Sequence, residues 1–151
     1  MIVKSDFLSV IAIFLLSLYF VSPLHAADKA SAPKEPMDSL LLSMSTDNTE
    51  VIDGAITIGT VALKRGHEVT MLLRLDSIKV AVSKNSYPVG ETVLAKRLSE
   101  FMKNGAKVIV GGKCMKDMKL TPKDLLKGVA VGTPDLVMGT IFKKETKILS
   151  Y

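Results

Sequence analysis

The sequence is poorest in sulfur nucleophiles, imidazoles and aromatic rings. Its 151 residues hold one cysteine, Cys114, two histidines and no tryptophan. A single thiol excludes an intramolecular disulfide framework and a Cys-rich zinc site, since each needs several cysteines. Four of the eight phenylalanines and tyrosines (Phe7, Phe14, Tyr19 and Phe20) fall in an N-terminal apolar run, leaving Tyr87, Phe101, Phe142 and Tyr151 for the rest of the chain. Base stacking has little to work with, so nucleic acid is not an expected partner despite the formal charge of +5. No GxGxxG separates the first strand from the first helix, and GxxxxGK[ST] is absent throughout, so phosphate cradling has no support.

What is present suits one globular domain: 48% hydrophobic and 23% charged residues, over a length that allows little more than a single core. Lys4, the apolar run Phe7–Val21 and the small residues Ala26 and Ala27 read as a secretory signal peptide over 1–26. The expected location is therefore the periplasm; an uncleaved signal would instead anchor the chain in the inner membrane. Residues 27–36, ADKASAPKEP, are too polar and proline-rich to pack and read as a flexible linker. The folded domain is expected over 37–151.

Within it, SLLLSMS at 39–45 has strand length and runs into Thr46, Asp47 and Asn48, residues that favour turns and helix N-caps. Ile52, Ala55, Ile56, Gly59, Ala62 and Leu63 recur at helical steps up to Gly66, a C-cap residue, and a strand is predicted from Glu68 to Leu75. Residues 76–88 read as irregular. Leu94, Leu98, Phe101 and Met102 mark a second helix closing at Asn104-Gly105, and Lys107–Val110 a third strand. Thr121-Pro122 with Asp124 reads as a helix start, Val129–Val131 as a fourth strand, Thr133-Pro134 as the start of a helix to Phe142, and Thr146–Tyr151 as a closing strand. Alternating strands and helices joined by short loops specify a doubly wound, mostly parallel five-stranded sheet.

In such sheets ligands gather at the carboxyl ends of the strands. That edge is predicted to carry Thr46, Asp47 and Asn48, then Arg74 and Asp76, then Gly111–Cys114, then Gly132-Thr133. His67 precedes the second strand and belongs to the opposite edge, and His25 lies in the signal, so neither a Cys-His hydrolase nor a histidine metal site is expected. Asp47 and Asp76 read as turn acids.

Cys114 has two readings. After the glycine pair, flanked by Lys113 and Lys116, it suits a reactive thiolate; equally, a free cysteine is often an inert small hydrophobe. Between Lys96 and Lys127 nine Lys or Arg face three acids, so positive charge is concentrated around the thiol and would attract small anions or an acidic partner. Such a basic rim also fits a non-catalytic oligomeric module that binds anions or proteins. Met115 and Met118 beside Cys114 raise a third reading, a Cu(I) site of soft ligands, against the commoner use of methionine in packing.

The sequence resembles the DsrE/DsrF-like sulfur-relay family, in particular its exported single-domain members. The resemblance is carried by LLLSMSTDN, RGHEVTMLLRLDSIKVA and above all GAKVIVGGKCMKDMKLTPKDLLKGVAVGTPDLVMGTIFKKETKILSY. It implies a three-layer α/β/α sandwich, homo-oligomers (often trimers or hexamers) and a match of Cys114 to the cysteine that carries sulfur as a persulfide. No cofactor or metal is implied. Two positions depart from the family: Gly111 stands where exported relatives often have the first cysteine of C-x-x-C, and Lys119 where a glycine usually follows. With one thiol, sulfur release requires a second thiol from another subunit, a partner or a small molecule. The expected role is a sulfur carrier or sulfurtransferase-like protein. Gly112, Lys113 and Lys116 would steady the anion, and Thr46, Asp47 and Asn48 would line the same crevice; the expected partners are a sulfur donor or acceptor protein or a small sulfur species.

Overall fold

The structure, a computed structural model, describes residues 38–151. The signal peptide and the linker expected from the sequence lie outside these residues. Strand β1 (Ser39–Met44) ends in a turn whose Asn48 side chain accepts the N–H groups of Glu50 and Val51, starting helix α1 (Thr49–Lys64). Such a cap is worth about 1 kcal/mol. β2 (Glu68–Leu73) follows, then a 3-10 helix over Leu75–Ala81, a small hairpin of β3 (Pro88–Val89) and β4 (Thr92–Val93), and helix α2 (Leu94–Lys103). β5 (Lys107–Gly111) runs directly into the short helix α3 (Gly112–Asp117). β6 (Ala130–Gly132), α4 (Pro134–Ile141) and β7 (Thr146–Ser150) complete the chain.

The main sheet has five strands in the order β6-β5-β2-β1-β7, and every pair is parallel. The first three crossovers step in one direction, which for a single handedness puts their helices on one face. The last runs back past β5, β2 and β1 to β7, so the same hand carries α4 to the other face. The side chains record these layers. Leu42, Met44, Val69, Met71, Val108 and Val110 pack with α1, α2 and α3, whereas Leu41, Leu72 and Ile109 meet Val137 and Ile141 of α4.

Two segments differ from the sequence reading. The strand predicted to Leu75 ends at Leu73, and the stretch expected to be irregular opens with most of the 3-10 helix and reaches only the first residue of the hairpin, elements too short for any periodicity to show. The helix expected from Thr121 is a single 3-10 turn, Pro122–Asp124. Its capping box forms, with the Asp124 carboxylate accepting the N–H and hydroxyl of Thr121, both at 2.8 Å. The chain then turns away because Leu125 is buried in the core and the Leu126 N–H donates to the Ala81 carbonyl at 2.8 Å. Burying Leu125 and pairing with the Ala81–Val82 segment prevails over continuing the helix.

Candidate functional site

β5 leads into α3 on one face of the sheet and β6 into α4 on the other. Connections that diverge from neighbouring strands leave a crevice between their carboxyl ends, the usual ligand position in open α/β sheets. Gly111 ends β5, and Cys114 is the third residue of α3. The thiol residue is half-buried: it packs against the core and also lines a hollow of about 260 Å³ with Arg74, Gly112, Lys113, Thr133 and Met138. An adjoining hollow of about 390 Å³ is lined by Gly112, Lys113, Met115, Lys116 and Thr133.

Glycine is required where the two strand ends meet. A β-carbon on Gly112 would lie 2.5 Å from the Gly132 carbonyl oxygen; one on Gly132 would lie 2.9 Å from Val137 Cγ2 and 3.0 Å from the Val110 oxygen. Side chains there would separate β5 from β6 or push the backbone beneath the thiol. Thr133 caps α4, its hydroxyl accepting the Leu136 N–H at 3.2 Å.

The structure thus brings Gly112, Lys113 and Cys114 to one hollow and places Lys116 in the next. The Lys113 ammonium is 2.7 Å from Asp117, and its side chain is 86% exposed. The Asp117 carboxylate, and to a smaller degree Cys114, holds that ammonium above its ordinary value. Its main partner is therefore a carboxylate on the solvent side, not the thiol.

Thr46, Asp47 and Asn48 line neither hollow. Asn48 caps α1, Thr46 Oγ1 accepts the Asn48 N–H at 3.1 Å, and Asp47 lies 3.5 Å from Lys79, which also meets Asp76 at 2.6 Å. The Asp76 carboxylate, helped by Asp47, raises the Lys79 pKa. These residues are held by their own turn. Met115 is buried in the core and Met118 packs against it, so both thioethers serve packing. Among the described residues no cluster of three His, Cys, Asp or Glu could hold a metal, and no helix is long and apolar enough to cross a membrane.

Arg74, which sequence reasoning placed at the strand ends without giving it a role, is the charged residue that shares the thiol's hollow from the sheet side. Its N–H donates to the Met44 carbonyl at 2.9 Å and to Ser77 Oγ at 2.8 Å, and the fully buried Ser77 thereby fixes the turn after β2. Its Nε donates to Ser43 Oγ at 3.1 Å.

Several solved structures share the fold. The ychN protein from E. coli matches with a TM-score of 0.65 at 12% identity, over 76% of this chain and 100% of that one. MTH1491 of Methanobacterium thermoautotrophicum, a protein of unknown function, matches with a TM-score of 0.63 at 12% identity, over 76% and 99%. BT1422 of Bacteroides thetaiotaomicron, a conserved protein of unknown function, gives 0.60 at 19%, over 76% and 95%. No curated protein matches the sequence. The DsrE/DsrF-like family model matches residues 39–142, from the start of β1 through the end of α4 and so across the Cys114 crevice; the chain belongs to the DsrE/DsrF-like family.

Proposed function

We infer that this protein is a periplasmic sulfur carrier or sulfurtransferase-like protein that holds sulfane sulfur as a persulfide on Cys114. The observation that carries the reading is the position of the chain's one thiol. It lines an open hollow at the carboxyl edge of a DsrE-type sheet, a hollow that Arg74 lines as well. In the reaction the Cys114 thiolate attacks the sulfane sulfur of a donor, the donor's S–S bond breaks, and the leaving group departs with the bonding pair. With no second cysteine in the chain, the outer sulfur passes to a thiol from elsewhere, which leaves Cys114 as a thiolate again.

Homo-oligomers, trimers or hexamers, belong to the same reading. Support comes from apolar side chains left in solvent on and after α4: Leu136, Met138 and Phe142, the last 79% exposed. Sedimentation velocity measures the assembly, and a monomer at micromolar concentration would remove this part.

The central test is intact mass after incubation with polysulfide. A gain of one sulfur atom that is lost on reduction and absent in Cys114→Ser is expected. No gain with polysulfide or thiosulfate would overturn the carrier reading.

A further inference from the structure

We propose that the sulfur donor is a small anion of the thiosulfonate type and that Arg74 is the residue that receives its sulfonate end; this rests on Cys114 being the sulfur acceptor. Arg74 is half-buried where β2 ends, and its Nε is fixed by the Ser43 hydroxyl at 3.1 Å. No carboxylate pairs with it among the described residues, in contrast to Arg97, Lys79, Lys113 and Lys143, which all have acidic partners. A partly desolvated guanidinium held by one nitrogen keeps a fork of donors for an oxyanion, and planar recognition of that kind is what arginine does best.

The thiol opens on the same hollow. A β-carbon on Gly111 would stand 3.6 Å from Cys114 Sγ and 3.6 Å from the carbonyl oxygen of Leu73, the residue before Arg74. Both side chains line one hollow of about 260 Å³, ample for a four- or five-atom anion, and the apolar Leu72, Val137 and Met138 line it too. A thiosulfonate places its sulfane sulfur one bond from its charged end, so a guanidinium beside the thiol would present that sulfur for attack. With thiosulfate the step balances: the Cys114 thiolate forms a bond to the sulfane sulfur, the S–S bond of thiosulfate breaks, and sulfite leaves with the electron pair. Persulfide anion and sulfite carry the charge that thiolate and thiosulfate brought, and no other oxidant or reductant is needed.

The test compares an anionic and a neutral reagent at the same thiol. For the wild-type protein the ratio of the iodoacetate to the iodoacetamide alkylation rate at Cys114 is expected to exceed that of N-acetylcysteine. In Arg74→Gln the ratio falls, and the KM for thiosulfate in persulfide formation, followed by intact mass, rises roughly ten- to a hundredfold with a smaller change in kcat. Arg74→Lys restores part of both, Lys103→Gln, exposed in the last turn of α2 and outside the hollow, changes neither by more than about twofold, and thermal melts report whether each variant is folded. A wild-type ratio no higher than that of N-acetylcysteine, or a thiosulfate KM indifferent to Arg74→Gln in a folded variant, overturns the proposal. If polysulfide still loads Cys114 in that case, only the donor assignment fails; if no donor loads it, the carrier reading fails as well.

Discussion

A β-carbon on Gly111 would stand 3.9 Å from Cβ of Cys114 and 3.6 Å from its Sγ. Bonded cysteines keep their β-carbons roughly 3.5–4.5 Å apart, so positions 111 and 114 have the spacing of a bonded pair. Gly111→Cys is expected to close a disulfide with Cys114 under mild oxidation. Thiol titration would show free thiols disappearing without any cross-linked dimer on a non-reducing gel. Cross-linking between chains instead would mean that the loop does not hold this geometry.

Lys119 has φ of 56°, in the left-handed region that costs an ordinary residue about 1–2 kcal/mol. It follows Met118, the C-cap of α3, and its N–H donates to the Lys116 carbonyl at 2.9 Å. Lys119→Gly removes the strain but loosens the unfolded chain, and a net gain of about 0.5–1 kcal/mol is expected. Urea unfolding should show a higher midpoint with an unchanged slope.

Gly112 allows no side chain. Gly112→Ala would place a methyl 2.5 Å from the Gly132 oxygen, and overpacking against backbone costs about 1–3 kcal/mol. The variant should unfold at lower urea. Its Cys114 alkylation rate should also change, because the displaced backbone carries the thiol. A stability change without any change in thiol reactivity would separate the strand contact from the site.

The Asp124 carboxylate accepts both the N–H and the hydroxyl of Thr121, and these bonds hold its pKa below the ordinary aspartate value. A group depressed in the folded state stabilises fully above its unfolded pKa and loses that contribution as pH falls through the folded one. Asp124→Ala should therefore destabilise the protein at neutral pH. The gap between variant and wild-type urea midpoints should close below about pH 4. A gap independent of pH would place the effect of the substitution elsewhere than in this carboxylate.

Local chemistry made much of the fold legible. Asn48 before α1, Thr133-Pro134 before α4 and the apolar stripe of α2 each act within a few residues, so pattern and structure agree there. The turn at Thr121 was equally visible, but its length was not, since it is set by Leu125 entering a core built from distant segments. The hairpin of β3 and β4 pairs only two residues per strand, too few to alternate. At the site, Cys114 and its glycines were readable from their spacing. Arg74 had a place in the sequence but no partners, because its bond to Ser43 and its hollow shared with Cys114 join residues 31 and 40 positions away along the chain. Lys113 illustrates the reverse: adjacency suggested a thiol partner, whereas the helical step to Asp117 supplies a nearer one.

β1 lies inside the sheet, with β2 on one side and β7 on the other, and the second pairing joins Ser39 to Thr146. A growing polypeptide therefore makes β1 early but receives that strand's outer neighbour, β7, only after every other strand of the sheet has been made. Until β7 emerges, a run of leucines keeps a bare row of amides and carbonyls open to any passing strand. Truncations that remove β7 should accordingly be lost to aggregation, however intact the thiol crevice they leave behind.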